Sequence, residues 1–145
     1  MMKRGASILL ALLLACVLLF AACGGESPVE PYPGVENWPA EEGALVKGIG
    51  AGGTVFALEI VLQDGSKEYF SVLTDESTVG AALLALDGFK KADNGIINTV
   101  NGRTLDWNAD QAYWAFEING EYAMTGAEDT AIDTAAVYAF VYTKG

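Results

Sequence analysis

One stretch limits the fold more than any other: Tyr113-Trp114-Ala115-Phe116-Glu117-Ile118-Asn119-Gly120-Glu121-Tyr122-Ala123-Met124. Trp114, Phe116 and Ile118 alternate with Tyr113, Ala115 and Glu117. A period of two belongs to a strand with two unlike faces. Asn119-Gly120 follows, a dipeptide that accepts positive φ at both positions of a two-residue hairpin loop. The stretch therefore predicts a β-hairpin. Its Trp114 face fills a core, and its Tyr113 face is at least partly open.

The rest of the globular part follows the same logic. Phe56, Leu58, Ile60 and Leu62 alternate with Val55, Ala57, Glu59 and Val61, Asp64-Gly65 turns the chain, and Lys67 to Leu73 returns as a second strand. Asp75, Ser77 or Thr78 caps a helix that carries Val79, Leu83 and Leu86 on one face and stops near Gly88. Ile96 to Val100 reads as a short strand before the Asn101-Gly102 turn, Leu105 to Ala112 as a loop, and Thr125 to Thr134 as a polar loop. Ala136 to Thr143 is the last strand, with Val137, Ala139 and Val141 on one face and Tyr138, Phe140 and Tyr142 on the other. Alternation alone leaves open which of those faces is buried. The expected order is β-β-α-β-β-β-β, an α+β fold with one helix on one face of a mixed sheet, best matched by a β-grasp arrangement.

The N-terminal part reads differently. Lys3 and Arg4 precede an apolar run from Ile8 to Ala22, and Ala21-Ala22 stand before Cys23. This is the layout of a secretory signal with small residues at the cleavage point. The run is shorter than the roughly 20 apolar residues of a spanning helix. Phe20-Ala21-Ala22-Cys23 resembles a bacterial lipoprotein lipobox, which implies that Cys23 carries the lipid. Leu13-Leu14-Ala15-Cys16 is a competing box, but it would cut the apolar run in half. With Cys16 removed in the signal, Cys23 has no disulfide partner in the chain. Residues 1–22 are thus expected to be a lipoprotein signal peptide and 23–43 an acidic, proline-rich tether. In the tether, Tyr32 and Trp38 either dock on the domain of residues 44–145 or are incidental. The expected location is the outer face of a bacterial cell membrane, with the membrane reached through the lipid.

Without residues 1–22, six basic side chains face 19 acidic ones, a net charge of −13. Such a surface repels nucleic acid and anionic lipid. No histidine occurs, which removes the usual neutral-pH base and transition-metal ligand. No Ser-His-Asp or Cys-His arrangement can be built, and the expectation is a protein that is not an enzyme and carries no cofactor. Gly48-Ile49-Gly50-Ala51-Gly52-Gly53 has the spacing of a dinucleotide loop but opens a strand, so it reads as a flexible glycine turn. Asp106, Asn108 and Asp110, with Glu117, are spaced like calcium ligands. Gln111 stands where that loop needs glycine and Glu117 lies on a strand, so an Asx-rich loop without metal is expected. If the helix covers the Phe56/Trp114 face, the other face offers Tyr69, Ser71, Tyr113, Ala115 and Glu117. That is either an amphipathic binding platform or a face packed against the tether.

Thr78-Val79-Gly80-Ala81-Ala82-Leu83, Ile97-Asn98-Thr99-Val100-Asn101-Gly102, Tyr113 to Gly120, Gly126-Ala127 and Val137 to Tyr142 together resemble the transcobalamin-like C-terminal domain family. The resemblance covers Thr54 to Lys144. It implies a β-grasp-like domain, which in the vitamin B12 carriers closes over a corrinoid against a larger helical domain. Residues 44–145 leave no room for that partner, and the last turn reads Asp133-Thr134-Ala135-Ala136 where the family has a glycine-bearing acidic turn. Two expectations follow for this non-enzymatic module. Either it binds a corrinoid or cobalamin-like small molecule, or it is a structural or protein-interaction domain meeting a cell-surface protein. The candidate ligand-binding residues are Tyr69, Trp107, Tyr113, Glu117, Asn119 and Gly120.

Overall fold

The computed structural model describes Val35 and residues 38–145. The expected signal peptide, Cys23, Tyr32 and most of the expected tether lie outside the described residues. The strands are β1 (Val46–Gly50), β2 (Thr54–Val61), β3 (Lys67–Thr74), β4 (Lys90–Lys91), β5 (Ile97–Val100), β6 (Arg103–Thr104), β7 (Ala112–Ile118), β8 (Glu121–Tyr122) and β9 (Val137–Lys144). Two short helices, α1 (Val79–Leu84) and α2 (Trp107–Asp110), and a 3-10 turn at Ala127–Asp129 complete the domain. The fold is α+β, as expected, with little helix.

Six strands form one mixed sheet in the order β1-β3-β2-β9-β7-β8, and β4-β5-β6 form a small second sheet. β1 runs parallel to β3 and β2 parallel to β9, while the other pairings of the large sheet are antiparallel. The period-two pattern sets which residues share a face. Phe56, Leu58 and Ile60 of β2 lie beside Val72 and Phe70 of β3 and beside Tyr138 and Phe140 of β9, all facing α1. Val79, Ala82 and Leu83 of α1 and Ile97 and Val100 of β5 close this core from the other side. Phe56 has no exposed surface, which contributes about 1.5–3 kcal/mol of burial. The question about the last strand is thereby settled: Tyr138 and Phe140 are core, and Val137, Ala139 and Val141 lie on the back face. Tyr138 keeps its hydroxyl satisfied by accepting from Asp133 N–H at 2.8 Å and donating to Ala131 O at 3.2 Å.

Thr78 caps α1, its hydroxyl accepting from Ala81 N–H at 3.2 Å, but the helix ends at Leu84, before Leu86. Gly80 lets α1 approach the 3-10 turn; a Cβ there would sit 2.6 Å from Glu128 Cα.

Three expectations about elements need correction. The glycine turn begins later than expected, because Val46–Gly50 already pairs with Tyr69–Leu73 as an edge strand. The loop from Leu105 to Ala112 contains α2. Its cap is Asp106, whose Oδ1 accepts from Asn108 and Ala109 N–H at 2.8 and 2.9 Å. The hairpin's return strand is only two residues long; Ala123 N–H still donates to Phe116 O at 2.9 Å, and Met124 leaves the sheet.

Candidate functional site

Among the described residues, a groove of about 690 Å³ lies beside β7. One wall is α2 with Trp107, the other Tyr122 of β8 and Met124 just after it, and Ile96 and Asn94 close the end. Trp114 and Phe116 form its floor. Trp114 is held by its indole N–H, which donates to Arg103 O at 3.1 Å. A deeper extension shares Ile96, Ile97, Trp114 and Phe116 and reaches Asp129.

The lip is unusually apolar. Ile96, Trp107, Tyr113, Tyr122 and Met124 are five of the six large apolar side chains left exposed among the described residues. All five line this groove. Scattered exposed apolar residues need no explanation, whereas a contiguous set around one concavity marks a contact site. Trp107 and Tyr113 stand 6.2 Å apart, ring centre to ring centre, at 56°. The α2 helix sets this pairing. Asp106 N–H donates to Asp110 Oδ2 at 2.8 Å, and Gln111 ends the turn in the left-handed conformation, φ +50°, with its side-chain amide donating to Trp107 O at 2.8 Å. The tight turn that calls for glycine in a calcium loop is thus made by glutamine.

The same bonds account for the acidic pattern. Asp106 and Asp110 carboxylates accept main-chain N–H groups of their own turn. Glu117 lies on the back face, beside Ala139 of β9. No group of three or more metal-ligating acids or thiols gathers among the described residues.

Of the candidate ligand-binding residues, the structure brings Trp107 and Tyr113 together and separates the rest from them. Tyr69 is buried on the back face, where Trp38 packs edge-on against it at 5.8 Å. The Trp38 indole N–H donates to Glu59 Oε1 at 2.9 Å. Between a platform and a face packed by the tether, the Tyr69 end is therefore the packed one. Burial, with Glu41 and Glu59 nearby, pushes the Tyr69 hydroxyl above its ordinary pKa of 10.0. Asn119 and Gly120 form the hairpin loop at φ +51° and +81°. Asn119 Oδ1 accepts from Val137 N–H at 2.9 Å, which ties that loop to β9 and away from the groove. Ile96, Tyr122 and Met124 are groove residues that the strand pattern does not reveal. An apolar residue at a strand's ragged end looks in sequence like one more core position.

No protein-family model and no curated protein matches the sequence. Solved structures do match the fold. A protein from Ruminococcus gnavus ATCC 29149, assigned provisionally to metal binding, superposes with a TM-score of 0.56 at 21% identity. The match covers 64% of this chain and 99% of that one. Haptocorrin in complex with Cbi matches with a TM-score of 0.49 at 15% identity, over 63% of this chain and 25% of that one. At 21% identity the first of these likenesses is one of fold.

Proposed function

We propose that this chain is a non-enzymatic binding domain, held outside the cytoplasm by a lipid on Cys23, whose groove takes a small molecule with a flat apolar face. The family resemblance makes a corrinoid the first candidate. The observation that carries the binding reading is the gathering of Ile96, Trp107, Tyr113, Tyr122 and Met124, all exposed, around one groove. Aromatic rings at such a lip offer apolar area with polar tips that stay wet. The groove is open to solvent, so a ligand seated there is covered only in part, and affinity is modest unless a partner covers the rest. The lack of histidine in the sequence, and the bonding of the Asp106 and Asp110 carboxylates to main-chain N–H groups of their own turn, support a role without catalysis.

Titration of the full-length chain with cobalamin and cobinamide, followed by tryptophan fluorescence and corrin absorbance, tests the ligand. Quenching that Trp107→Ala removes is the expected result. Unchanged spectra at high micromolar ligand would end the corrinoid reading. Palmitate labelling in cells, absent from Cys23→Ser, tests the anchor.

A further inference from the structure

We infer that the ligand of the groove carries a single aromatic ring with a cationic substituent, and that this ring enters the deeper extension below the lip. The inference rests on the groove being a ligand site, and it deepens that reading by naming what the inner end takes.

The extension holds about 170 Å³. Its walls are apolar and mostly aromatic: Ile97 of β5, Trp114 and Phe116 of β7, Phe140 of β9 and Ala127 of the 3-10 turn. Four elements of the core hold them, so the recess is shaped before any ligand arrives. Its mouth is open. Gly95, Ile96, Gly126 and Asp129 are all exposed there. A Cβ built on Gly95 or Gly126 would meet nothing within 4 Å, so the space beside both glycines is free. An apolar cavity of about 150 Å³ accommodates one benzene ring. One six-membered ring therefore fits this recess, and a flat polycyclic body stays outside, against Trp107 and Tyr113. Aromatic walls favour a ring over an alkyl chain, because edge-to-face and offset contacts add to burial.

Charge selects the substituent. Neither the groove nor its extension is lined by lysine or arginine. Glu128 is paired with Lys91 at 3.0 Å, so it offers little to a ligand. Asp129 is different. It lines the extension, is exposed, and its carboxylate has no hydrogen bond or ion pair among the described residues. A free carboxylate at the rim of an apolar recess attracts a cation and repels an anion. The aromatic walls act in the same sense, since ring faces attract cations. Ring and charge together define an aryl amidinium or arylmethyl ammonium group.

Benzamidine, a benzene ring bearing one amidinium, is the probe, titrated into the isotope-labelled full-length chain and followed by NMR. A millimolar Kd is expected for so small a ligand, with nuclear Overhauser contacts from its ring protons to the methyl groups of Ile97 and Ala127. Benzoate is expected to bind about tenfold more weakly, and acetamidine, the same cation without the ring, not to bind at about 10 millimolar. Asp129→Asn is expected to weaken benzamidine about threefold, the scale of an exposed ion pair, and to bring benzoate close to it. Gly126→Leu, at φ −68° with open space for a side chain, narrows the mouth and is expected to abolish the Ile97 and Ala127 contacts. Ring contacts to Trp107 or Tyr113 alone, benzoate binding as tightly as benzamidine, or no change at Ala127 at about 10 millimolar probe would overturn the inference. Benzamidine seated in the recess with no response to corrinoids leaves this result standing and removes only the corrinoid choice. A corrinoid response with no ring at Ala127 overturns this inference alone and leaves the groove reading intact.

Discussion

Two tryptophan–tyrosine pairs sit on this domain, and they differ in almost everything but chemistry. Trp38 and Tyr69 meet edge to face at 80°, both buried, with the indole N–H bonded to Glu59. Trp107 and Tyr113 meet at 56°, 51% and 38% exposed. The first pair fastens the incoming chain to the back of the sheet. The second leaves its rings at the mouth of a groove. The contrast teaches that an aromatic pair is structural or available according to what lies over it, and that its own residues do not say which.

Substitutions put this contrast to the test. Trp38→Ala is expected to lose about 3 kcal/mol, at the low end for a buried aromatic because the strap can lift away, read from the denaturant midpoint. An unchanged midpoint would make the two pairs alike. Gly80→Ala tests the core that both pairs surround: with Glu128 main chain so close, overpacking is expected to cost about 2 kcal/mol. Glu59→Gln removes a charged acceptor from the Trp38 indole and is expected to cost about 1 kcal/mol.

Alkaline pH probes the buried pair in another way. Tyr69 has its pKa raised in the folded state, so its contribution is complete below the ordinary 10.0 and is lost as pH rises through the folded value. Stability is therefore expected to fall above about pH 10. Tyr69→Phe is expected to flatten that fall, with Tyr138, also raised by burial, supplying the remainder. Trp107→Ala is the smallest effect on stability, within about 0.5 kcal/mol for a surface side chain, with the largest expected effect on binding. A large loss of stability there would show that Trp107 belongs with Trp38.

Much of the fold was legible because it depends on local periodicity. The hairpin from Tyr113, the β2–β3 pair and the Thr78 cap all follow from spacing and turn chemistry. Strand β1 was not, because Gly48 and Gly50 hide a period that only pairing with β3 reveals. Helix α2 was masked by Asp106, Asn108 and Asp110, residues that favour turns as much as caps. Of the groove, Trp107 and Tyr113 were within reach of sequence reasoning. Ile96 and Met124 were not, because an apolar residue in sequence carries no mark of exposure.

Local sequence sets β2, β3, β7 and β9, their two faces and the Asn119-Gly120 loop, since each depends on neighbours within a few residues. Long-range packing settles that Trp38 covers Tyr69, that Trp107 stands open beside Tyr113, and that β8 is only two residues long. Those outcomes depend on which distant segment occupies the space above a residue. Side-chain alternation records the face a residue points to, not what meets it there.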